Sequence, residues 1–261
     1  MEYSTIQFKK EGEIGYIFLN RPKQLNAINK KMIDELYYLI DEEIENDEDL
    51  GAIIITGNEK IFCAGADITE VTKVSSVKNA YYFSKQYQKI FNKVEDISKI
   101  VIAAISGYAV GGGCELALSC DWRVLSETAR MGLAEINIGA LPGGGGTQKL
   151  PRLIGIAKAK ELLYTGEAIS ASEALKFGLA NTVVPVDKLL DEAKKIAEKL
   201  LKNSKIALRF IKQTVNSGMN MNLESALEWE AQCFAGLSTT HDFREGTAAF
   251  LEKRKPQFKG R

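Results

Sequence analysis

The sequence predicts an α/β fold. Short apolar segments typical of strands alternate with segments of helical periodicity over roughly the first 185 residues, and the rest of the chain has helical patterns only. The chain has 261 residues, of which 45% are hydrophobic and 26% are charged. A chain of this size can bury about 70–75% of its unfolded surface. We therefore expect a globular protein that folds without disulfides or a structural metal.

The N-terminal part predicts a hairpin, a helix, a strand and a second helix. Segments 3–8 and 14–19 are rich in Ile, Phe and Tyr and flank a turn at Gly12. Asn29 is a typical N-cap for the next helix, whose apolar residues recur every three or four positions. The short apolar run 51–56 predicts a buried strand, and the aromatic-rich segment 76–97 predicts a helix.

The remaining elements continue the alternation and then become helical. Strands are predicted at 101–105, 122–125 and 182–184, and helices at 114–120, 156–164, 171–177, 187–202, 205–217, 222–236 and 240–254. Ser170 and Glu173 have the spacing of a capping box at one helix start. Since no segment resembles a linker, the helical tail is expected to pack on the rest of the chain or on a neighbouring subunit.

Charge and rare residues exclude several classes of function. Lys plus Arg equals Asp plus Glu, at 34 each, so the basic surplus of a nucleic-acid-binding protein is missing. One histidine, His241, makes a multi-histidine zinc site or a Ser-His-Asp triad improbable. The four cysteines lack metal-binding spacing. With neither a signal peptide nor an apolar run of about 20 residues, we expect a cytoplasmic protein without membrane contact.

Three glycine-rich segments are candidates for chemistry. They are Phe62–Ile68, Gly107–Ala117 and Glu135–Thr147. The first follows the strand at 51–56, and the second joins a strand to a helix start, where unpaired N–H groups favour an anion or a developing oxyanion. None of these segments has the register of a dinucleotide-binding fingerprint or of a phosphate-binding P-loop.

Two glutamates accompany these glycines. Glu115 lies in the first turn of the helix after the second segment, a position that acidic residues favour in any case. Glu135 follows Leu133 and Ala134, and apolar surroundings would raise its pKa toward the range useful for proton transfer. By itself Glu135 could equally be an exposed residue at a strand edge.

Taken together, the motifs resemble the crotonase (enoyl-CoA hydratase) family along almost the whole chain. The matching segments are Phe62-Cys-Ala-Gly-Ala-Asp-Ile68, Gly107-Tyr-Ala-Val-Gly-Gly-Gly-Cys-Glu-Leu-Ala-Leu-Ser-Cys-Asp121, Glu135-Ile-Asn-Ile-Gly-Ala-Leu-Pro-Gly-Gly-Gly-Gly-Thr-Gln148, Asn20-Arg21-Pro22, Leu25-Asn26-Ala27 and Ala249-Phe-Leu-Glu-Lys-Arg254. One departure is that Leu133-Ala134 stands where many family hydratases have Gln-Pro.

The resemblance implies a spiral of β-β-α turns at 1–195 and a helical oligomerisation region at 196–261, which forms a trimer or a dimer of trimers. It implies an acyl-CoA substrate, so coenzyme A would be part of the substrate and no cofactor or metal would be needed. By the resemblance, the catalytic carboxylates are Glu115 and Glu135, and the oxyanion hole consists of the Ala66 and Gly112 amides. The implied substrate contacts are Leu25, Ala27, Ala64, Asp67, Ile68, Gly143, Phe250 and Lys253.

The activity implied is reversible hydration of a short-chain trans-2-enoyl-CoA, with Glu115 activating water and Glu135 handling the Cα proton. The reverse reaction would dehydrate 3-hydroxybutyryl-CoA or 3-hydroxypropionyl-CoA. The alternatives are an enoyl-CoA isomerase of the same family, or a relative that binds RNA or coenzyme A without catalysis. Candidates for the acyl pocket are Val71, Tyr81, Tyr82 and Phe83, although aromatic residues at helical spacing are more often plain core.

Overall fold

The computed structural model describes residues 2–261, and their elements confirm the α/β class. The strands are β1 (Ile6–Glu11), β2 (Ile14–Leu19), β3 (Ala52–Thr56), β4 (Ile61–Cys63), β5 (Ile100–Ile105), β6 (Tyr108–Val110), β7 (Trp122–Ser126), β8 (Arg130–Gly132), β9 (Ile169–Ser170) and β10 (Thr182–Val184). The helices are α1 (Lys30–Tyr38), α2 (Ile68–Val71), α3 (Val77–Asp96), α4 (Gly112–Leu118), α5 (Gly146–Ile154), α6 (Ile156–Thr165), α7 (Ala171–Lys176), α8 (Leu189–Leu200), α9 (Lys205–Gly218), α10 (Leu223–Ser238) and α11 (His241–Leu251).

Successive strands of the chain belong alternately to two sheets from β3 to β8. The six-stranded sheet has the order β1-β2-β3-β5-β7-β10, and the four-stranded sheet has the order β4-β6-β8-β9. From β3 to β8, each β-β-α repeat therefore adds one strand to the large sheet, a short strand to the small sheet, and then a helix. All pairings are parallel except β1 with β2 and β8 with β9.

The central strands of the large sheet are buried on both faces, which explains their continuous apolar sequences. In β3, Ile53 and Ile55 face the main core, whereas Ile54 belongs to a second core on the opposite face. The second core is closed by Leu189, Ala193 and other apolar residues of α8. The helix that begins the tail thus covers one face of the large sheet.

The tail is also joined to the body by a buried ion pair. Lys212 of α9 bonds to Asp121 at 2.7 Å and to the carbonyl oxygen of Lys99 at 2.9 Å. The Lys212 side chain is only 6% exposed. The prediction that the tail packs on the rest of the chain is therefore confirmed for α8 and α9.

Most predicted elements are present, with shifted ends. Asn29 caps α1, and Ser170 with Glu173 forms a capping box at α7, as predicted. The first hairpin strand lies at Ile6–Glu11 rather than 3–8, and the helix predicted at 114–120 begins two residues earlier, at Gly112. The first glycine segment follows β3 as predicted, but its first two residues, Phe62 and Cys63, belong to a further short strand, β4, that the sequence did not predict.

Candidate active site

Three neighbouring strand ends bring the glycine segments together. In the small sheet, Cys63 of β4 pairs with Ala109 of β6, and Val110 of β6 pairs with Gly132 of β8. The chain leaves these strands toward Ala66, Gly112 and Glu135 respectively. Because the strands are parallel, these three segments emerge at the same edge of the sheet.

The amides of Ala66 and Gly112 lie close together and are free. A Cβ atom placed on Gly112 would be 3.2 Å from the Ala66 nitrogen, and one placed on Gly65 would be 3.2 Å from the Gly112 nitrogen. Gly65 also has a φ of +103°, which favours glycine. Among the hydrogen bonds of residues 2–261, neither amide donates to a protein acceptor. Gly112 is the first residue of α4, where N–H groups are unpaired.

Glu115 is buried and is held by two glycine amides at the start of α5. Its Oε1 accepts hydrogen bonds from the amides of Gly144 and Gly146, both at 2.8 Å. Burial raises the pKa of the Glu115 carboxyl, whereas these amides and the charge of Lys149 oppose the rise. The carboxylate therefore occupies a buried position whose donors favour its ionised form.

The surroundings of Glu135 differ from those of Glu115. It begins a short 3-10 turn, Glu135–Ile138, so the alternative of an exposed residue at a strand edge is wrong. Within the described residues its Oε2 is buried without a hydrogen-bond partner. Burial, and then the charge of Glu115, raises the pKa of Glu135 to about 7. A Cβ on Gly111 would lie 3.2 Å from Glu135 Oε1, so this carboxyl sits beside the start of α4.

One cavity of about 530 Å³ joins these groups. Ala66, Gly112, Glu115 and Glu135 all line it. Of the other expected residues, it includes Ala64, Ile68, Gly143, Val71 and Phe83. Two free amides and two carboxyl groups around one apolar space can polarise a carbonyl group and move protons beside it.

Two of the acyl-pocket candidates are wrong. Tyr81 and Tyr82 lie on the solvent side of α3, with exposed fractions of 59% and 60%. They therefore do not line the cavity. Ser84 and Tyr87, further along α3, line it instead. The Tyr87 hydroxyl donates to the carbonyl oxygen of Ile28 at 2.7 Å, which fixes this wall of the cavity.

Of the expected coenzyme A contacts, Ala64 and Ile68 line the cavity, whereas Leu25, Ala27 and Asp67 do not. The Asp67 carboxylate pairs with Arg21 at 2.9 Å and caps α2, and Arg21 also donates to the Ala27 carbonyl oxygen. Leu25 is exposed and has a positive φ. Through Arg21, the Asp67 side chain therefore connects the start of α2 to the segment 21–27.

Phe250 and Lys253 do not line the cavity of their own chain. Both are exposed, with Phe250 at 83%, and they lie at the end of α11. Residues 2–261 contain no cluster of three or more His, Cys, Asp or Glu residues with the geometry to hold a metal ion. None of the helices described combines the length and apolar character that crossing a bilayer requires.

The sequence pattern did not single out the amides of Gly144 and Gly146 as partners of Glu115. The run of four glycines at 143–146 was the available signal, since a Cβ on Gly144 would lie 2.6 Å from both Glu115 Oε2 and the Phe91 ring. Only glycine fits between this carboxylate and this ring.

Comparison with known proteins agrees with the fold. A family model described as enoyl-CoA hydratase/isomerase matches residues 9–261. A short-chain-enoyl-CoA hydratase of Clostridium acetobutylicum is 43% identical, with 100% of each chain covered. A crotonyl-CoA hydratase of Syntrophomonas wolfei is 42% identical, with 99% of each covered. A crystal structure of enoyl-CoA hydratase from Bacillus anthracis has a TM-score of 0.92 at 40% identity, covering 99% of this chain and 100% of that one.

The chain therefore belongs to the enoyl-CoA hydratase/isomerase family. The crotonase-like fold that the motifs implied is confirmed by the match to the solved structure.

Substituting Gly144→Ala is expected to lower kcat by about 10–100-fold with a smaller change in KM, because the methyl group would displace the Glu115 carboxylate from its amide donors. Steady-state kinetics with crotonyl-CoA checks this. Gly218→Ala, which meets nothing closer than 3.6 Å, is the matched control. Equal kinetics for Gly144→Ala and the wild type would contradict the need for glycine at this contact.

Proposed function

We propose that this protein catalyses the reversible addition of water to short-chain trans-2-enoyl-CoA thioesters, giving 3-hydroxyacyl-CoA. Crotonyl-CoA is the proposed substrate for hydration, and 3-hydroxybutyryl-CoA or 3-hydroxypropionyl-CoA is the substrate for the reverse dehydration. The observation that carries the proposal is one cavity lined by two free amides and two carboxyl groups, of which Glu115 accepts two backbone N–H bonds and Glu135 has an unpartnered oxygen. The names of the relatives, short-chain-enoyl-CoA hydratase and crotonyl-CoA hydratase, support the same substrate class.

The amides of Ala66 and Gly112 would bind the thioester oxygen. Negative charge develops on this oxygen when water adds to the β-carbon. Donors that are already in place stabilise the charge without reorganising, and the loss of one such donor typically costs about 10²–10³ in rate. The reaction moves only water and protons, so the proposed chemistry requires no metal or redox cofactor.

The two glutamates would divide the proton transfers. Glu115 accepts two N–H donors, which favours the carboxylate and suits a base that activates water. Glu135 has an unpartnered oxygen and a raised pKa, which favours the protonated acid that donates to Cα. After one hydration the proton has passed from Glu135 to the substrate, and a water proton has passed to Glu115. The pair must therefore hold one proton in either direction of reaction.

The rest of the substrate would extend out of the cavity. Val71, Phe83 and other apolar residues that line the cavity would form the wall for a short acyl chain. The coenzyme A portion would be contacted by Leu25, Ala27, Ala64, Asp67 and Ile68. Asp67 would contribute mainly backbone atoms, since its carboxylate is paired with Arg21.

A homo-oligomer would complete the nucleotide end of the site. Large apolar side chains of the tail are exposed, including Ile211, Val215, Leu223, Leu227, Phe234, Phe250 and Leu251. An exposed apolar surface of this kind favours association of subunits. In the proposed trimer or dimer of trimers, Phe250 and Lys253 would approach the nucleotide of a neighbouring subunit's substrate, with Lys253 contacting phosphate.

Substituting Glu115→Gln or Glu135→Gln is expected to lower kcat for hydration of crotonyl-CoA by about 10²–10⁴-fold, because each change removes a proton-transfer group. Coenzyme A binding should persist, as measured by calorimetry. Near-normal hydration by either variant would contradict the role given to that residue.

The same assays separate the proposal from its alternatives. Turnover of a 3-enoyl-CoA without hydration of crotonyl-CoA would identify an isomerase. Tight coenzyme A binding without turnover, or salt-dependent RNA binding, would identify a non-catalytic relative.

The kcat/KM for hydration is expected to fall above pH about 7, by about tenfold per pH unit, because Glu135 must be protonated to supply the Cα proton. Dehydration should fall over the same range, since it needs the same single proton on the pair. Measuring kcat/KM from pH 5 to 9 checks this. A flat profile to pH 9 would contradict the assignment of the acid.

The same ionisation should affect stability. The folded-state pKa of Glu135, about 7, is above its ordinary value of 4.5, so ionising it disfavours the folded state as pH rises between these values. Glu135→Gln should therefore become more stable than the wild type over this range, by up to about 1.4 kcal/mol per pH unit. Denaturant unfolding at pH 4.5 and 7.5 gives the comparison.

A further inference from the structure

One peptide unit near the cavity makes hydrogen bonds on both of its sides. The N–H of Gly144 donates to Glu115 Oε1 at 2.8 Å. The carbonyl oxygen of the same peptide, that of Gly143, accepts from Ser84 Oγ at 2.6 Å and from Gln88 Nε2 at 3.0 Å. In a trans peptide the carbonyl and N–H groups point in opposite directions, so fixing the carbonyl also fixes the direction of the N–H.

We propose that Ser84 and Gln88, one turn apart on α3, are positioning residues for the Glu115 base, because they hold the Gly143–Gly144 peptide with its N–H toward the carboxylate. This inference rests on the proposed hydratase function. Neither side chain is given a contact with the reacting atoms, and both act through the peptide.

The orientation of the Gln88 amide is set by its other contacts. Lys85 Nζ donates to Gln88 Oε1 at 3.0 Å, so the amide nitrogen faces the loop. This nitrogen donates to Ser84 Oγ at 3.1 Å as well as to Gly143. The Ser84 hydroxyl is then left to donate its own hydrogen to the Gly143 carbonyl. Two donors on one carbonyl polarise the peptide and strengthen its N–H as a donor.

The Gly143–Gly144 peptide needs this support more than its neighbour does. It lies between two glycines, which allow wide rotation of the backbone. Gly145, which follows, has a φ of +123°. The second donor to Glu115, Gly146, is instead the first residue of α5 and is oriented by that helix. Loss of the α3 contacts should therefore weaken one of the two donors and leave the other in place.

Ionisable groups facing Glu115 come from four segments: Glu135 from the 3-10 turn, Tyr87 from α3, Lys149 from α5 and Cys114 from α4. In the described chain none of these bonds to Ser84 or Gln88. A change at Ser84 or Gln88 thus reaches the ionisation of Glu115 through the Gly144 amide, which favours the carboxylate form.

The test is a pH profile of kcat/KM and kcat for crotonyl-CoA hydration by the Ser84→Ala/Gln88→Met double variant. We expect kcat to fall about tenfold with KM changed less than about twofold, and the acidic limb of the profile to move to higher pH. Gln86→Met is the matched control for the Gln88→Met change, since it replaces a glutamine of α3 that does not line the cavity. It should match the wild type in both respects.

Two results would overturn the inference. One is a double variant whose acidic limb is unchanged, whether or not its thermal stability is lower. That result would mean that Ser84 and Gln88 stabilise the fold without affecting the pKa of Glu115. The other is a wild-type enzyme that does not hydrate crotonyl-CoA, which overturns the proposed function as well. If the double variant does not fold, Ser84→Ala alone decides, with a smaller shift expected in the same direction.

Discussion

The Glu115 carboxylate is buried inside the protein, and the N–H groups of Gly144 and Gly146 stabilise it there. An unpaired buried carboxylate would take up a proton and could not serve as a base. Gly144 can approach the carboxylate because it has no side chain, since a Cβ there would lie 2.6 Å from both Glu115 Oε2 and the Phe91 ring. Glu135 lacks this pair of donors, and burial together with the charge of Glu115 raises its pKa to about 7.

The small sheet positions the remaining groups. Its strands β4 and β6 are three residues long, and β8 is as short, so each supports little more than the turn that follows it. Their parallel register places the Ala66 amide, the start of α4 and Glu135 next to one another. The main core contains residues of both sheets, among them Ile53 and Ile55 of β3, Cys63 of β4 and Ala109 of β6. The short strands that position the site are therefore anchored in the same core as the large sheet.

Long periodic elements could be predicted from the sequence, and short ones could not. The 3–4 spacing in α1, the aromatic-rich segment of α3 and the apolar run of β3 identified those elements within a few residues. The strands β4, β6 and β8 are too short to show a period. Helix α5 was not predicted, because it starts with glycine and contains Pro151, both of which are unfavourable in helices. The two glutamates and the free amides were found through family motifs. The contacts of Gly144 depend on tertiary approach across 29 residues of sequence, which no local pattern encodes.

The most direct measurement is a crystal structure with a bound acyl-CoA product such as 3-hydroxybutyryl-CoA. The account predicts that the thioester oxygen lies within about 3 Å of the Ala66 and Gly112 nitrogens, and that the 3-hydroxyl group lies against Glu115 with Cα near Glu135. A thioester carbonyl bound away from these amides, or one whose Cα and 3-hydroxyl carbon reach neither glutamate, would contradict it.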